Sequence, residues 1–182
     1  MKKFLCMALA ASMLLMAACG ETEDPNASTG NGAEDKSQTE QTADDTQESG
    51  AYVFVYNGVT LAVDADAAEA VAALGDPSGY YEESSCAFEG LDKVYTYPNI
   101  EIDTYPSGDS DLISEIIIKD DLVSTPEGVS LYMTFEDMVN AYGSDYTEGT
   151  NLYTYSRGGM TLRFIVKDNE IVSIEYLSSV LN

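Results

Sequence analysis

Histidine is absent from the 182 residues of the chain. It is the commonest general base, the usual partner of a nucleophilic Ser or Cys and the commonest transition-metal ligand, so its absence argues against most enzyme mechanisms. We therefore expect a protein that is not an enzyme and that binds no cofactor and no metal. Chemistry based on two carboxylates needs no histidine, so a carboxylate-based hydrolase remains a remote alternative.

Positive charge is scarce as well. Eight Lys and Arg residues stand against 32 Asp and Glu residues, which gives a formal charge of −24. Nucleic-acid binding needs clustered Lys and Arg for phosphate contacts, and adhesion to anionic lipid needs a polybasic patch, so this composition excludes both. We expect any partner to be neutral or basic.

Long apolar runs are lacking too, and the N-terminal run is too short to span a bilayer. It occupies residues 4–16, follows two lysines and ends in small residues before Cys19. This order is typical of a signal peptide with a lipobox. We expect residues 1–18 to be a lipoprotein signal peptide and Cys19 to be the lipidated N-terminus. The protein would then be anchored at the extracytoplasmic face of the bacterial cell membrane, or at the outer membrane of a Gram-negative host.

Cysteine usage is equally sparse. Of three cysteines, Cys6 would leave with the signal peptide, Cys19 would carry lipid, and Cys86 stands alone. No intramolecular disulfide is then possible in the mature chain. We expect Cys86 to be a small buried residue of low reactivity, because the acidic residues near it in sequence would oppose thiolate formation.

Residues 20–50 contain no aromatic residue and no Val, Ile or Leu. Such a segment cannot bury enough apolar surface to offset its chain entropy. We interpret residues 19–50 as a disordered acidic tether with a reach of roughly 30 Å. The composition changes at residue 51, and residues 51–182 contain all 13 tyrosines, which predicts one compact domain.

Two short helices are predicted in this domain. An Asp-Ala-Asp segment offers an N-cap to residues 67–74, and Gly75 follows as a C-cap. Thr134 caps residues 135–142 with an acidic residue in the capping-box position, and Gly143 ends that helix. Strands are predicted over residues 52–56, 93–97, 99–105, 112–119, 152–155, 160–166 and 171–176.

The two halves of the domain share a pattern. Tyr-Thr-Tyr at 95–97 recurs at 153–155, and the same offset of 58 residues pairs Ile113 with Ile171. The first half is about ten residues longer over 79–91, which we interpret as an insertion. The sequence thus predicts an α+β fold of two tandem repeats, about 51–121 and about 122–182. Their strands would form one antiparallel sheet with the helices on one face.

The second half also carries a resemblance to a known fold. It contains the helix from Thr134 to Gly143, then Leu-Arg-Phe at 162–164 and Asn-Glu-Ile-Val-Ser-Ile at 169–174. These motifs resemble the repeat of the β-lactamase-inhibitor-protein-like fold and are similar to the small SmpA/OmlA envelope-assembly lipoproteins. The resemblance implies two repeats in one continuous sheet whose second face is open. It carries no binding residue over to this chain.

Tyrosine is the most informative residue type for function, since 13 tyrosines stand against 5 phenylalanines. A buried tyrosine needs a hydrogen-bond partner for its hydroxyl, whereas at an interface the polar end is an advantage. The strand tyrosines can therefore be core residues or an aromatic strip on the helix-free face. We take the second as the hypothesis, with this candidate binding surface: Tyr95, Tyr97, Tyr105, Tyr153, Tyr155 and Tyr176.

These expectations lead to a function hypothesis. We expect a lipid-anchored cell-surface binding module that contacts the membrane through lipid on Cys19 and a protein or glycan through its sheet. Acidic residues Glu101, Asp103 and Glu175 beside the tyrosines would favour basic or polyhydroxyl partners. The alternative is a structural envelope-assembly lipoprotein.

Overall fold

The computed structural model describes residues 50–181 of the chain. The predicted signal peptide (1–18), the lipidation site Cys19 and all but the last residue of the predicted tether (19–50) lie outside the described residues.

The described chain contains ten strands, two α-helices and a final 3-10 turn. The strands are β1 (Phe54–Tyr56), β2 (Val59–Leu61), β3 (Gly79–Ser84), β4 (Leu91–Thr96), β5 (Ile100–Ser107), β6 (Ser110–Ile118), β7 (Thr147–Glu148), β8 (Leu152–Arg157), β9 (Met160–Lys167) and β10 (Glu170–Ser178). The helices are α1 (Ala67–Leu74) and α2 (Phe135–Tyr142), and the 3-10 turn covers Ser179–Leu181.

Eight of the strands form one antiparallel sheet in the order β3-β4-β5-β6-β10-β9-β8-β7. The strands of each half of the chain lie together, and β6 pairs with β10 where the halves meet. The described fold is α+β and its sheets are antiparallel, as expected from the sequence.

The prediction of a single sheet is wrong in one respect, because β1 and β2 form a separate two-stranded sheet. Asn57 and Gly58 between them have φ of 50° and 80°. Positive φ at both central residues is what a two-residue hairpin turn requires, and Asn-Gly adopts it readily. The turn folds β1 back onto the three residues that follow it.

Both helices begin and end where their caps predict. The side chain of Asp66 accepts a hydrogen bond from the N–H of Ala68 at 2.8 Å at the start of α1. Thr134 and Asp137 form a reciprocal capping box at the start of α2. The N–H groups of Gly75 and Gly143, both with positive φ, donate to carbonyls in the last turns.

One face of the large sheet packs against the helices and carries the core. Ile102 pairs with Ile116, and Tyr176 and Leu162 continue the row across β10 and β9. All four residues are at most 1% exposed. Met138 of α2 is fully buried in the same core, to which α1 contributes two alanines. Both helices therefore pack on the same side of the sheet.

The two halves make matching backbone contacts. The N–H of Asp64, before α1, donates to the carbonyl of Ile113 at 2.8 Å. The N–H of Tyr132, before α2, donates to the carbonyl of Ile171 at 2.8 Å. Asp64 and Tyr132 both have positive φ, 64° and 67°. In each half the segment before the helix is thus fixed to the beginning of the last strand.

Residues 79–91, interpreted from the sequence as an insertion, begin with a strand. β3 pairs along its whole length with β4 and lies at one edge of the large sheet. At the opposite edge β7 has only two residues. The sequence Tyr-Tyr-Glu-Glu in β3 lacks the apolar–polar alternation of a half-buried strand, which is why the pattern did not predict one.

Candidate functional site

The structure corrects the predicted aromatic surface. Four of the six strand tyrosines are at most 5% exposed: Tyr97, Tyr105, Tyr155 and Tyr176. Side chains buried to this extent cannot line an open face, so the hypothesis that they form a contact surface is wrong.

For three of the four, Tyr97, Tyr105 and Tyr155, the physical reason is that the fold supplies a partner for the buried hydroxyl group. Tyr97 donates to the carbonyl of Gly75 at 3.2 Å, and Tyr155 donates to the carbonyl of Gly143 at 2.8 Å. These carbonyls lie at the ends of the two helices. Burial raises the pKa of Tyr155 to about 12, so its hydroxyl stays a donor well above neutral pH. The tyrosines therefore join each helix end to the sheet.

Tyr95 and Tyr153 are half-buried, and they lie on the helix side of the sheet. The ring of Tyr95 lies 5.2 Å from that of Tyr80, and the ring of Tyr153 lies 4.8 Å from that of Phe135. These two residues pack against the core at opposite ends of the sheet, so they do not form a strip on the helix-free face either.

The helix-free face of the sheet carries several charged side chains instead. Glu101, Ile117, Glu175 and Arg163 are successive cross-strand partners on β5, β6, β10 and β9. All four are half-buried by their neighbours in the sheet. Because alternate residues of a strand share a face, this row belongs to the side away from the helices.

The next row of the helix-free face places two like charges opposite each other. Asp103 on β5 is the direct cross-strand partner of Glu115 on β6. Burial, followed by the charge of Glu101, raises the pKa of Asp103 to about 6. Burial, followed by the charge of Glu175, raises the pKa of Glu115 to about 7. Like charges in this position destabilise a sheet.

Cations on this face do not balance the carboxylates. Arg163 forms a hydrogen-bonded ion pair with Glu175 and lies 3.6 Å from Glu115, measured from its Nη2 to Oε1. Nζ of Lys119 lies 3.3 Å from Oε2 of Glu101. Asp103 forms no ion pair within the described part of the chain, and its Oδ1 is buried without a hydrogen-bond partner.

A groove of about 240 Å³ connects this carboxylate pair to the edge strand β3. It is lined by Glu83, Asp92, Lys93, Val94, Asp103, Thr104, Ser114, Glu115 and Leu181. Its one lysine, Lys93, pairs at 2.5 Å with Asp111, which lies outside the lining. Oδ1 of Asp92, like that of Asp103, is buried with no hydrogen-bond partner among residues 50–181. The groove therefore combines four carboxylates with unsatisfied acceptor atoms.

Sequence reasoning missed part of this site. It named Glu101, Asp103 and Glu175, but it did not single out Asp92 or Glu115. Glu115 and Lys119, the two charged residues of predicted strand 112–119, are four residues apart and so share a face, which could have placed Glu115 on the outer face. Nothing in the sequence pattern placed Asp92 beside it.

Cys86 is exposed, contrary to the expectation that it is buried. It lies in the loop between β3 and β4, where the next residue, Ala87, is exposed as well. Over residues 50–181, no group of three or more His, Cys, Asp or Glu side chains is arranged to hold a metal ion. The same residues include no helix of the length and apolar character needed to cross a membrane.

No family model and no curated protein matches the chain. A solved structure of an extracellular protein containing an SCP domain from Bacillus anthracis str. Ames is similar in part, with 13% sequence identity and a TM-score of 0.40. The match covers 64% of this chain and 44% of that one. A similarity of this size carries no argument about fold or function.

Proposed function

We propose that the protein is a lipid-anchored binding module at the extracytoplasmic face of the membrane, and that its helix-free sheet face binds a basic region of a partner protein. The predicted signal peptide, with its predicted lipobox at Cys19, supports the location. The excess of carboxylates on the helix-free face supports a positively charged partner. The proposal assigns no catalysis to the protein.

The opposed pair Asp103 and Glu115 is the observation that carries this proposal. Raised pKa values of about 6 and about 7 mean that the ionised pair costs folding stability. A cation placed between the two carboxylates would relieve that repulsion and satisfy the unpaired Oδ1 of Asp103. Binding of a basic group is thus favoured by an interaction that the isolated protein lacks.

We also propose that the two halves arose as copies of one unit. The matching contacts of Asp64 and Tyr132 support this, as do the equivalent hydroxyl bonds of Tyr97 and Tyr155 to the helix ends. The resemblance to the β-lactamase-inhibitor-protein-like fold stays a prediction.

The binding proposal is tested by titrating the isotopically labelled full chain with an octa-lysine peptide and following amide chemical shifts. We expect shifts concentrated on β5, β6, β9 and β10. The double variant Asp103→Asn/Glu115→Gln should bind at least fivefold more weakly than the natural chain. It should also be more stable, because the repulsion is gone.

The matched control is Glu69→Gln/Glu136→Gln, which removes the same number of carboxylates from the exposed surfaces of the two helices. We expect this control to change the affinity less than twofold. Equal losses of affinity in the two double variants would show a general effect of net charge and would contradict a site on the helix-free face.

A further inference from the structure

Within residues 50–181, β3 has a strand partner on one side only, because it lies at the edge of the large sheet. The N–H of Ser85 donates to the carbonyl of Gly90, which makes Ser85 and Gly90 a hydrogen-bonded pair just beyond the end of β3. Hydrogen-bonded pairs recur at every second residue of an antiparallel ladder, so the odd-numbered residues of β3 bond to β4. On the other side of β4, the N–H of Tyr97 donates to the carbonyl of Ile100, so the odd-numbered residues of β4 bond to β5 and its even-numbered residues bond to β3, as this pattern requires. The N–H and C=O groups of Tyr80, Glu82 and Ser84 therefore point toward the free edge.

Natural sheet edges are protected by short length, bulges, covering elements or charged side chains. β3 carries charge at Glu82 and Glu83, but it is neither short nor bulged. β3 is six residues long and pairs with β4 in unbroken register from Gly79 to Ser84. Tyr80 and Tyr81 are 53% and 57% exposed, and Leu91, the first residue of β4, is 39% exposed. An unpaired backbone thus lies beside exposed apolar surface.

The side chains of β3 present the same chemistry on both faces of the sheet. The hydroxyl of Tyr80 donates to Glu82 on the helix side, and the hydroxyl of Tyr81 donates to Glu83 at 3.2 Å on the helix-free face. Each tyrosine is thus held by the acid two residues further on. Glu83 also lines the acidic groove that continues to Asp103.

We propose that β3 accepts an extended segment of a basic partner as an additional, antiparallel strand. Main-chain hydrogen bonds to Tyr80, Glu82 and Ser84 would give affinity, and cross-strand side chains would give specificity. The segment would carry two adjacent basic residues, opposite Glu83 and Glu82, followed by two apolar residues opposite Tyr81 and Tyr80. That the partner is basic rests on the proposed function, whereas the docking of a strand at the edge of β3 does not depend on it.

Charge decides between this occupant and a second copy of the chain. Each copy carries a formal charge of −24, so two copies repel each other. Pairing two β3 strands symmetrically about Glu82 would also place one carboxylate directly opposite another, which destabilises a sheet. A basic segment instead places one positive charge opposite Glu82 and another opposite Glu83.

The test uses the full chain and the acetylated, amidated peptide Thr-Lys-Arg-Val-Tyr-Thr. Amide hydrogen exchange is measured residue by residue by NMR. At saturating peptide we expect exchange at Tyr80, Glu82 and Ser84 to slow at least tenfold. Exchange at Tyr81 and Glu83, whose amides already bond to β4, should change little. Peptide binding that leaves the first three amides unprotected would overturn the proposal.

Two N-methylated peptides separate strand pairing from charge attraction. Methylation of the third and fifth peptide nitrogens blocks the bonds to β3 and should weaken binding at least tenfold. Methylation of the second and fourth nitrogens, which point away from β3, should change it less than threefold. Equal affinity of the two methylated peptides would refute main-chain pairing.

Ser84→Pro removes an edge N–H without removing a bond to β4, and Ser84→Ala is its control. We expect only the proline variant to lose peptide affinity, with exchange at Tyr81 still slow as a sign of an intact β3–β4 pair.

The Asp103→Asn/Glu115→Gln variant should still bind the peptide along the edge, so loss of the face site and loss of the edge site are distinguishable. Protection of the edge amides in the protein alone, rising with its concentration, would show a second copy as occupant and overturn the assignment.

Discussion

Replacing Tyr155 by phenylalanine tests whether the strand tyrosines hold the fold together. Its hydroxyl is buried and donates to the carbonyl of Gly143 at 2.8 Å. Removing the hydroxyl loses about 1 kcal/mol of net hydrogen-bond energy and leaves a carbonyl at the end of α2 without this donor, for a total of about 1–2 kcal/mol. Tyr97→Phe breaks the longer equivalent bond of 3.2 Å and should cost about 1 kcal/mol or less.

The assay is urea denaturation of the full chain, followed by circular dichroism. The slope of unfolding free energy against urea should stay unchanged while the midpoint falls. Tyr81→Phe is the control, because its hydroxyl is exposed and bonds only to Glu83; we expect a change below about 0.5 kcal/mol. If Tyr155→Phe costs no more than Tyr81→Phe, the structural role of the buried hydroxyl is refuted.

Three further predictions concern stability. Tyr176→Phe should be neutral or stabilising by up to about 1 kcal/mol, because this buried hydroxyl forms no hydrogen bond of normal geometry within residues 50–181, although the Tyr142 hydroxyl lies near it; a loss above about 1 kcal/mol in urea denaturation would contradict this. Met138→Ala should cost about 2–5 kcal/mol by the same assay, because the side chain is fully buried between α2 and the sheet. Stability should fall as pH rises from about 4.5 to about 7, because folded Glu115 keeps its proton where the unfolded chain has lost it; thermal melts of Glu115→Gln should show a smaller slope.

The helices were predictable because their signals are local. Each cap acts on atoms within four residues of it, so Asp66, Thr134 and the glycines Gly75 and Gly143 identify both helices without knowledge of the tertiary fold. The positions of most strands were predictable for a similar reason, since apolar residues alternate along them.

The binding surface was not predictable to the same extent, because it depends on register. A regular hairpin closed at Ser107 and Ser110 would place Asp103 opposite Ser114. A bulge between Asp103 and Thr104 shifts the pairing by one residue and brings Glu115 opposite Asp103 instead. A bulge of this kind leaves no clear mark in one sequence.

The tyrosines show a second limit. The number of tyrosines shows how many hydroxyl groups would need partners if they were buried, but it does not show where those partners lie. The carbonyl that Tyr155 needs belongs to Gly143, which is supplied by a helix end packed on the same face. Only the three-dimensional packing distinguishes such a tyrosine from one that lies at an interface.

The central claim is that the ionised pair Asp103 and Glu115 attracts a basic partner. The most direct measurement is the affinity of the full chain for octa-lysine between pH 5 and pH 8 at constant ionic strength. We predict tighter binding as pH rises through about 6 and about 7, where the two groups ionise, while folding stability falls only up to about pH 7. The rise in affinity should be absent in Asp103→Asn/Glu115→Gln. An affinity that does not change with pH, or that rises equally in this variant, would contradict the claim.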